Sequence, residues 1–77
     1  MAIRVTANDR NGLLRDVSAV MANEKVNVLS VSSRIDAKRS LAIMDMSIEL
    51  NNIEMLGKLL ARIAQLDDVI EAKRLSN

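Results

Sequence analysis

The sequence predicts an α+β fold of the ferredoxin-like type: a βαββαβ chain forming a four-stranded antiparallel sheet with two helices on one face. Three observations carry this. Apolar residues alternate with period two early and in the middle of the chain, they recur at helical spacing in two segments, and clusters of turn-forming residues punctuate the runs. The 77 residues contain no proline and no linker-like stretch, which predicts a single domain over residues 1–77.

Ile3, Val5 and Ala7 alternate with Arg4, Thr6 and Asn8, the pattern of a half-buried strand. The run ends in Asn8-Asp9-Arg10-Asn11-Gly12, a cluster of turn formers. Leu13, Leu14, Val17, Val20 and Met21 then recur at helical spacing. Asn11 is the expected N-cap, its side-chain oxygen accepting a free first-turn N–H. Val26 to Ile35 is rich in β-branched residues and reads as strand two. Asp36-Ala37-Lys38 is a polar break. Ala42, Met44, Met46, Ile48 and Leu50 alternate through strand three, so strands two and three form a hairpin. The Met44/Met46 pair falls on the helix-facing side, where it packs as core.

Asn51-Asn52 opens the second helix, with Ile53, Leu56, Leu60 and Ile63 as its expected buried stripe. Asn51 and Glu54 have the spacing of a capping box. Gln65 to Asp68 is the exit turn, and Val69 to Leu75 closes the chain as a short strand. Strict alternation places Val28 on the opposite face of strand two from Leu29 and Val31, and Leu41 and Ile43 opposite Ala42 and Met44. Apolar residues on the sheet face that the helices leave open point to a cover, a second subunit or a neighbouring domain. The small core of so short a chain argues the same way.

Composition narrows the chemistry. Half the residues are apolar (49%) and the charges are dispersed, which favours folding over disorder. Cysteine is absent, which excludes a disulfide, a thiolate metal site and a thiol nucleophile. Histidine is absent, and with it the commonest general base and neutral metal ligand. No aromatic residue is present to stack on nucleic-acid bases. Eleven Lys+Arg against ten Asp+Glu create no overall field toward nucleic acid or membrane. No apolar run approaches the ~20 residues of a membrane span, and the start lacks a signal-peptide pattern. The expectation is a cytoplasmic chain with no catalytic residue, metal or cofactor.

The Asn8–Leu14 segment is the most specific feature. A glycine at a strand-to-helix junction either adopts φ > 0 or leaves room for another group to approach the backbone. The first-turn N–H groups behind it, at the positive end of the helix, suit a carboxylate or phosphate. Equally, Gly12 can serve the turn alone, with Asp9 and Asn11 capping it. Arg10 and Asn11 have the residue types of a small phosphatase loop, but a single glycine does not make a phosphate cradle.

Asn8-Asp9-Arg10-Asn11-Gly12-Leu13-Leu14-Arg15-Asp16-Val17 resembles the opening of an ACT domain, the amino-acid-sensing module of many metabolic regulators. Three later segments are similar to the C-terminal ACT domain of RelA/SpoT-family (p)ppGpp synthetases: Asn23 to Leu29, Met44 to Glu49 and Asp68 to Leu75. The resemblance implies a fragment of a larger cytoplasmic GTP pyrophosphokinase whose catalytic domains lie upstream. It also implies a homodimer or pairing with another ACT domain. An amino-acid ligand would then lie between the loop residues Asn8, Asp9, Asn11, Gly12, Leu13 and Leu14 of one copy and Asn27, Val28 and Leu29 of its neighbour. In this assignment Gly12 is the anchor, Asn8 and Asp9 meet the amino group, and helix N–H groups meet the carboxylate. In that family the module is also implicated in ribosomal RNA contact. Arg34, Lys38 and Arg39 crowd the hairpin tip and can meet phosphates, or simply be solvated. Two classes of function stay open: an amino-acid sensor, and a ligand-free interaction module.

Overall fold

The computed structural model describes residues 1–75. Six elements follow in order: β1 (Ala2–Asn8), α1 (Leu13–Asn23), β2 (Asn27–Asp36), β3 (Leu41–Glu49), α2 (Glu54–Ala64) and β4 (Val69–Arg74). The antiparallel sheet runs β2-β3-β1-β4, with both edges open. Pairing of Ile3 with Met46, Val5 with Met44 and Ala7 with Ala42 puts the buried residues of the two central strands on one face. Against that face pack Leu13, Val17 and Met21 of α1 and Leu56, Leu59 and Ile63 of α2, in a single core. Each fully buried aliphatic side chain of this kind contributes roughly 1.5–3 kcal/mol.

Both helices begin differently from the sequence expectation. Gly12, not Asn11, is the N-cap of α1, with φ 80° and ψ 3° and no side-chain cap. Asp16 N–H donates to Gly12 O, so the helix starts one residue later and the Asn11 side chain meets no first-turn amide. At α2 the Asn51–Glu54 capping box does not form. Asn52 Oδ1 instead accepts from Glu54 N–H at 2.8 Å. The phase shifts with it: Leu59 is buried, Leu60 is half-buried, and Ile53 is 57% exposed. Lys25 supplies the left-handed residue (φ 58°) that ends α1, and Val26 N–H closes onto Met21 O at 3.0 Å. Val26 is thus a buried helix terminator, and β2 starts at Asn27. At the other end the hairpin turn is longer than the polar break alone, and Leu50 lies beyond β3.

The largest correction lies in β2. Val28 pairs with Ile48 and Ser30 with Ser47, leaving Leu29 as an extra residue in a β-bulge. Strict alternation fails across that extra residue. Val28, Val31, Ser33 and Ile35 therefore all lie on the helix side, opposite the buried Ile48, Met46, Met44 and Ala42. No β2 residue is buried, because the helix layer does not extend over this edge. Four exposed apolar side chains gather on this strand, Val28, Leu29, Val31 and Ile35. The open sheet face is largely polar instead: Arg4, Thr6, Ser30, Ser32, Arg34, Asp45 and Ser47, with Leu41 and Ile43 half-buried among them.

Candidate functional site

The strand directions collect three turns at one end of the sheet: the β1–α1 loop, the β2–β3 hairpin turn and the α2–β4 turn. Two successive amides at the end of β1 tie them together. Asn8 N–H donates to Asp68 O at 2.8 Å, and Asp9 N–H donates to Ser40 O at 2.9 Å. Both accepting residues have positive φ, 73° at Asp68 and 54° at Ser40. With Gly12, three of the four positive-φ residues among those described cluster here. Such backbone tends to gather at binding sites, where surrounding structure holds it in place.

Arg10 is the electrostatic centre of this end. Its Nη2 donates to Asp16 Oδ2 at 2.9 Å, Nε and Nη2 both donate to Asp67 O at 3.2 Å, and Nη1 donates to Asn11 O at 3.2 Å. Nε also lies 3.3 Å from Asp68 Oδ2. Arg15, by contrast, is 83% exposed, its Nε 3.7 Å from Asp16 Oδ1. On the open sheet face, Arg4 donates to Asp45 at 2.7 and 3.0 Å. Those hydrogen bonds hold the Asp45 carboxyl below its ordinary 3.8, with a smaller pull from Arg34.

Beside the loop lies a cleft of about 270 Å³, walled by Asp9 to Arg15 on one side and by Ser33, Ile35, Ala42 and Met44 on the other. Asn8, Asp9, Asn11 and Leu14 are exposed around it. Leu13 points into the core, so only its backbone N–H faces outward chemistry. The amides of Leu13, Leu14 and Arg15 precede the first intrahelical bond, from Asp16, and point out of the helix end. The other expected wall is elsewhere: Asn27, Val28 and Leu29 start β2 at the opposite end of the sheet, so one chain does not bring them to the loop. The sequence reading missed Ser33, Ile35, Ala42 and Met44 as cleft wall. Period two from Val31 onward and along β3 puts all four on one face, but that this face borders the β1–α1 loop follows only from the strand order.

Arg34 lies on the open sheet face, while Lys38 and Arg39 sit in the hairpin turn, where Arg39 N–H donates to Asp36 Oδ1 at 3.3 Å. Among the described residues, no group of three or more His, Cys, Asp or Glu could hold a metal ion. Among the described residues, no helix is long and apolar enough to cross a membrane.

A four-stranded antiparallel sheet in βαββαβ order, with two helices on one face and a glycine-capped loop at the first strand-to-helix junction, defines an ACT-type α+β domain. The chain belongs to the ACT-domain family, whose profile matches residues 1–74. Within it, similarity falls on GTP pyrophosphokinases. The chain is 67% identical over 73 residues to the enzyme of Haemophilus influenzae, covering 95% of this chain and 10% of that protein. It is 55% identical over 75 residues to that of Escherichia coli K12, covering 97% and 10%. The chain therefore corresponds to a small domain, about a tenth of the length of these relatives. Solved structures agree on the fold. The ACT domain from GTP pyrophosphokinase of Chlorobium tepidum superposes with TM-score 0.80 at 22% identity, over 96% of this chain and 94% of that one. The acetolactate synthase small subunit of Thermotoga maritima gives 0.84 at 12% identity, over 97% and 46%.

Proposed function

We propose that the chain is the regulatory ACT module of a cytoplasmic RelA/SpoT-like (p)ppGpp synthetase, holding an amino acid at the interface of two paired copies. The observation that carries this reading is the open β2 edge. β2 is ten residues long, unburied and uncharged from Asn27 to Ser33. By contrast β4, the other edge, is six residues long and carries the charges Glu71, Lys73 and Arg74, while both edges carry one bulge. Short charged edges resist pairing, and long uncharged ones invite it. Antiparallel pairing of two β2 edges about their midpoint sets Asn27–Leu29 of one copy beside residues 34–36 of the other. That is next to the second copy's cleft, so pairing unites the two halves of the site. The free α1 amides then meet the ligand carboxylate, Asn8 and Asp9 meet its amino group, and Gly12 gives backbone access. Control of a catalytic domain requires the ligand to bind two states with different affinity.

The second reading is a ligand-free module docking on ribosomal RNA or on other domains, favoured by the exposed cations Arg34, Lys38 and Arg39 around the hairpin. Melting the chain with each of the twenty amino acids separates the two. A ligand at about 100 times its Kd adds roughly 2.7 kcal/mol. If none moves the melting point at millimolar concentration, the sensor reading fails for this chain. Salt-sensitive RNA binding weakened by Arg34→Ala and Arg39→Ala supports the second.

A further inference from the structure

The candidate loop is held from outside itself. Its helix cap has no side-chain bond, and its conformation is set by what Arg10 reaches. That guanidinium makes four hydrogen bonds, out of five N–H groups, to acceptors on three segments. Asn11 belongs to the loop, Asp16 to the first turns of α1, and Asp67 to the α2–β4 turn 57 residues away in sequence. The Asp68 carboxylate closes the ring, and the same residue's carbonyl takes Asn8 N–H. With its donors engaged, Arg10 is not free for a ligand or phosphate. Arg15, three residues beyond Gly12, is the exposed cation of the pair.

We infer that Arg10 is a positioning residue, a latch that makes the β1–α1 loop and the α2–β4 turn move as one body. The regulatory meaning rests on the ligand reading above: occupancy of the loop is then felt at the start of β4, directly after Asp68. The latch itself does not need a ligand. Only a planar, forked group spans these acceptors; a lysine keeps the charge but presents one compact ammonium.

The test is amide hydrogen exchange followed by NMR on the unsubstituted chain and on Arg10→Lys, with Arg15→Gln as control. Arg10→Lys is expected to accelerate exchange about tenfold at Asn8, which bonds Asp68, and at Val69, which bonds Leu66. Val26, whose N–H bonds Met21 at the far end, changes less than threefold. Arg15→Gln leaves all three within threefold. Uniform acceleration at every amide makes Arg10 a contributor to global stability only, and no acceleration removes the latch; either overturns the inference. If an amino acid stabilises the unsubstituted chain, Arg10→Lys weakens its Kd about tenfold, and an unchanged Kd severs the latch from the site. If none does, the ligand reading fails while the exchange pattern still decides the latch.

Discussion

Gly12 carries the sharpest quantitative expectation. Its φ of 80° lies in the left-handed region, which costs other L-residues roughly 1–2 kcal/mol. A Cβ built there meets Arg15 Nη2 at 3.0 Å, the far end of an exposed side chain that can swing aside, and no backbone. The conformational term therefore dominates. Alanine recovers part of it by narrowing the unfolded ensemble, by about 0.4–1 kcal/mol. The net loss for Gly12→Ala is then about 1 kcal/mol. Unfolding entropy near 2.1 cal/mol/K per residue gives a chain of this length about 0.16 kcal/mol/K, so the melting point falls by about 6 °C. Gly12→Asn falls less, because asparagine tolerates this region, and Gly12→Val falls most. Scanning calorimetry of the three variants checks the order. Valine melting level with asparagine refutes the argument, because backbone handedness would not be what the position demands. Ligand melts on Gly12→Asn add a second distinction: normal stability with a lost ligand shift assigns Gly12 to close approach, and a retained shift assigns it to the turn.

Two further expectations test the corrected core and the sheet face. Leu59→Ala, at a position 1% exposed, should cost about 2–5 kcal/mol in urea unfolding, whereas Ile53→Ala should stay within about 0.5; equal losses would restore the earlier helix phase. Asp45 has a depressed folded pKa, so its contribution is present above the unfolded value near 3.8 and is lost as pH falls through the lower folded value. Asp45→Asn should consequently flatten the melting-point decline below about pH 4 and leave the neutral-pH slope unchanged. An unchanged acid limb would show that the Arg4 pair is too well solvated to count.

The central strands were legible because Ile3, Val5 and Ala7, and Ala42 to Ile48, obey period two with no interruption, and each buried residue has a partner of the same phase across the ladder. The β2 bulge was not legible. Leu29 is as apolar as its neighbours, so nothing in the string marks it as the residue without a cross-strand partner. At α2, Leu59 and Leu60 both satisfy helical spacing, and only the packing of the helix against the sheet selects one. The Asn8–Gly12 loop announced itself by residue type, yet Asn11 and Gly12 are both acceptable caps, and backbone handedness decided between them. Two of the partners of Arg10, Asp67 and Asp68, are remote in sequence, beyond the reach of any local pattern.

The layout of the strands also settles how the chain is best handled. Met1 N donates to Ile48 O at 3.1 Å and Leu75 N–H to Ala2 O at 2.9 Å, so both described ends lie at the end of the sheet away from the three turns. β1 runs the length between, about 20 Å at some 3.3 Å per residue. A fluorophore, affinity tag or surface tether at either described end hangs clear of the cleft of its own copy. A chain immobilised by either end on a sensor chip thus points its loop toward the solution, with the β2 edge free to recruit a second copy from it.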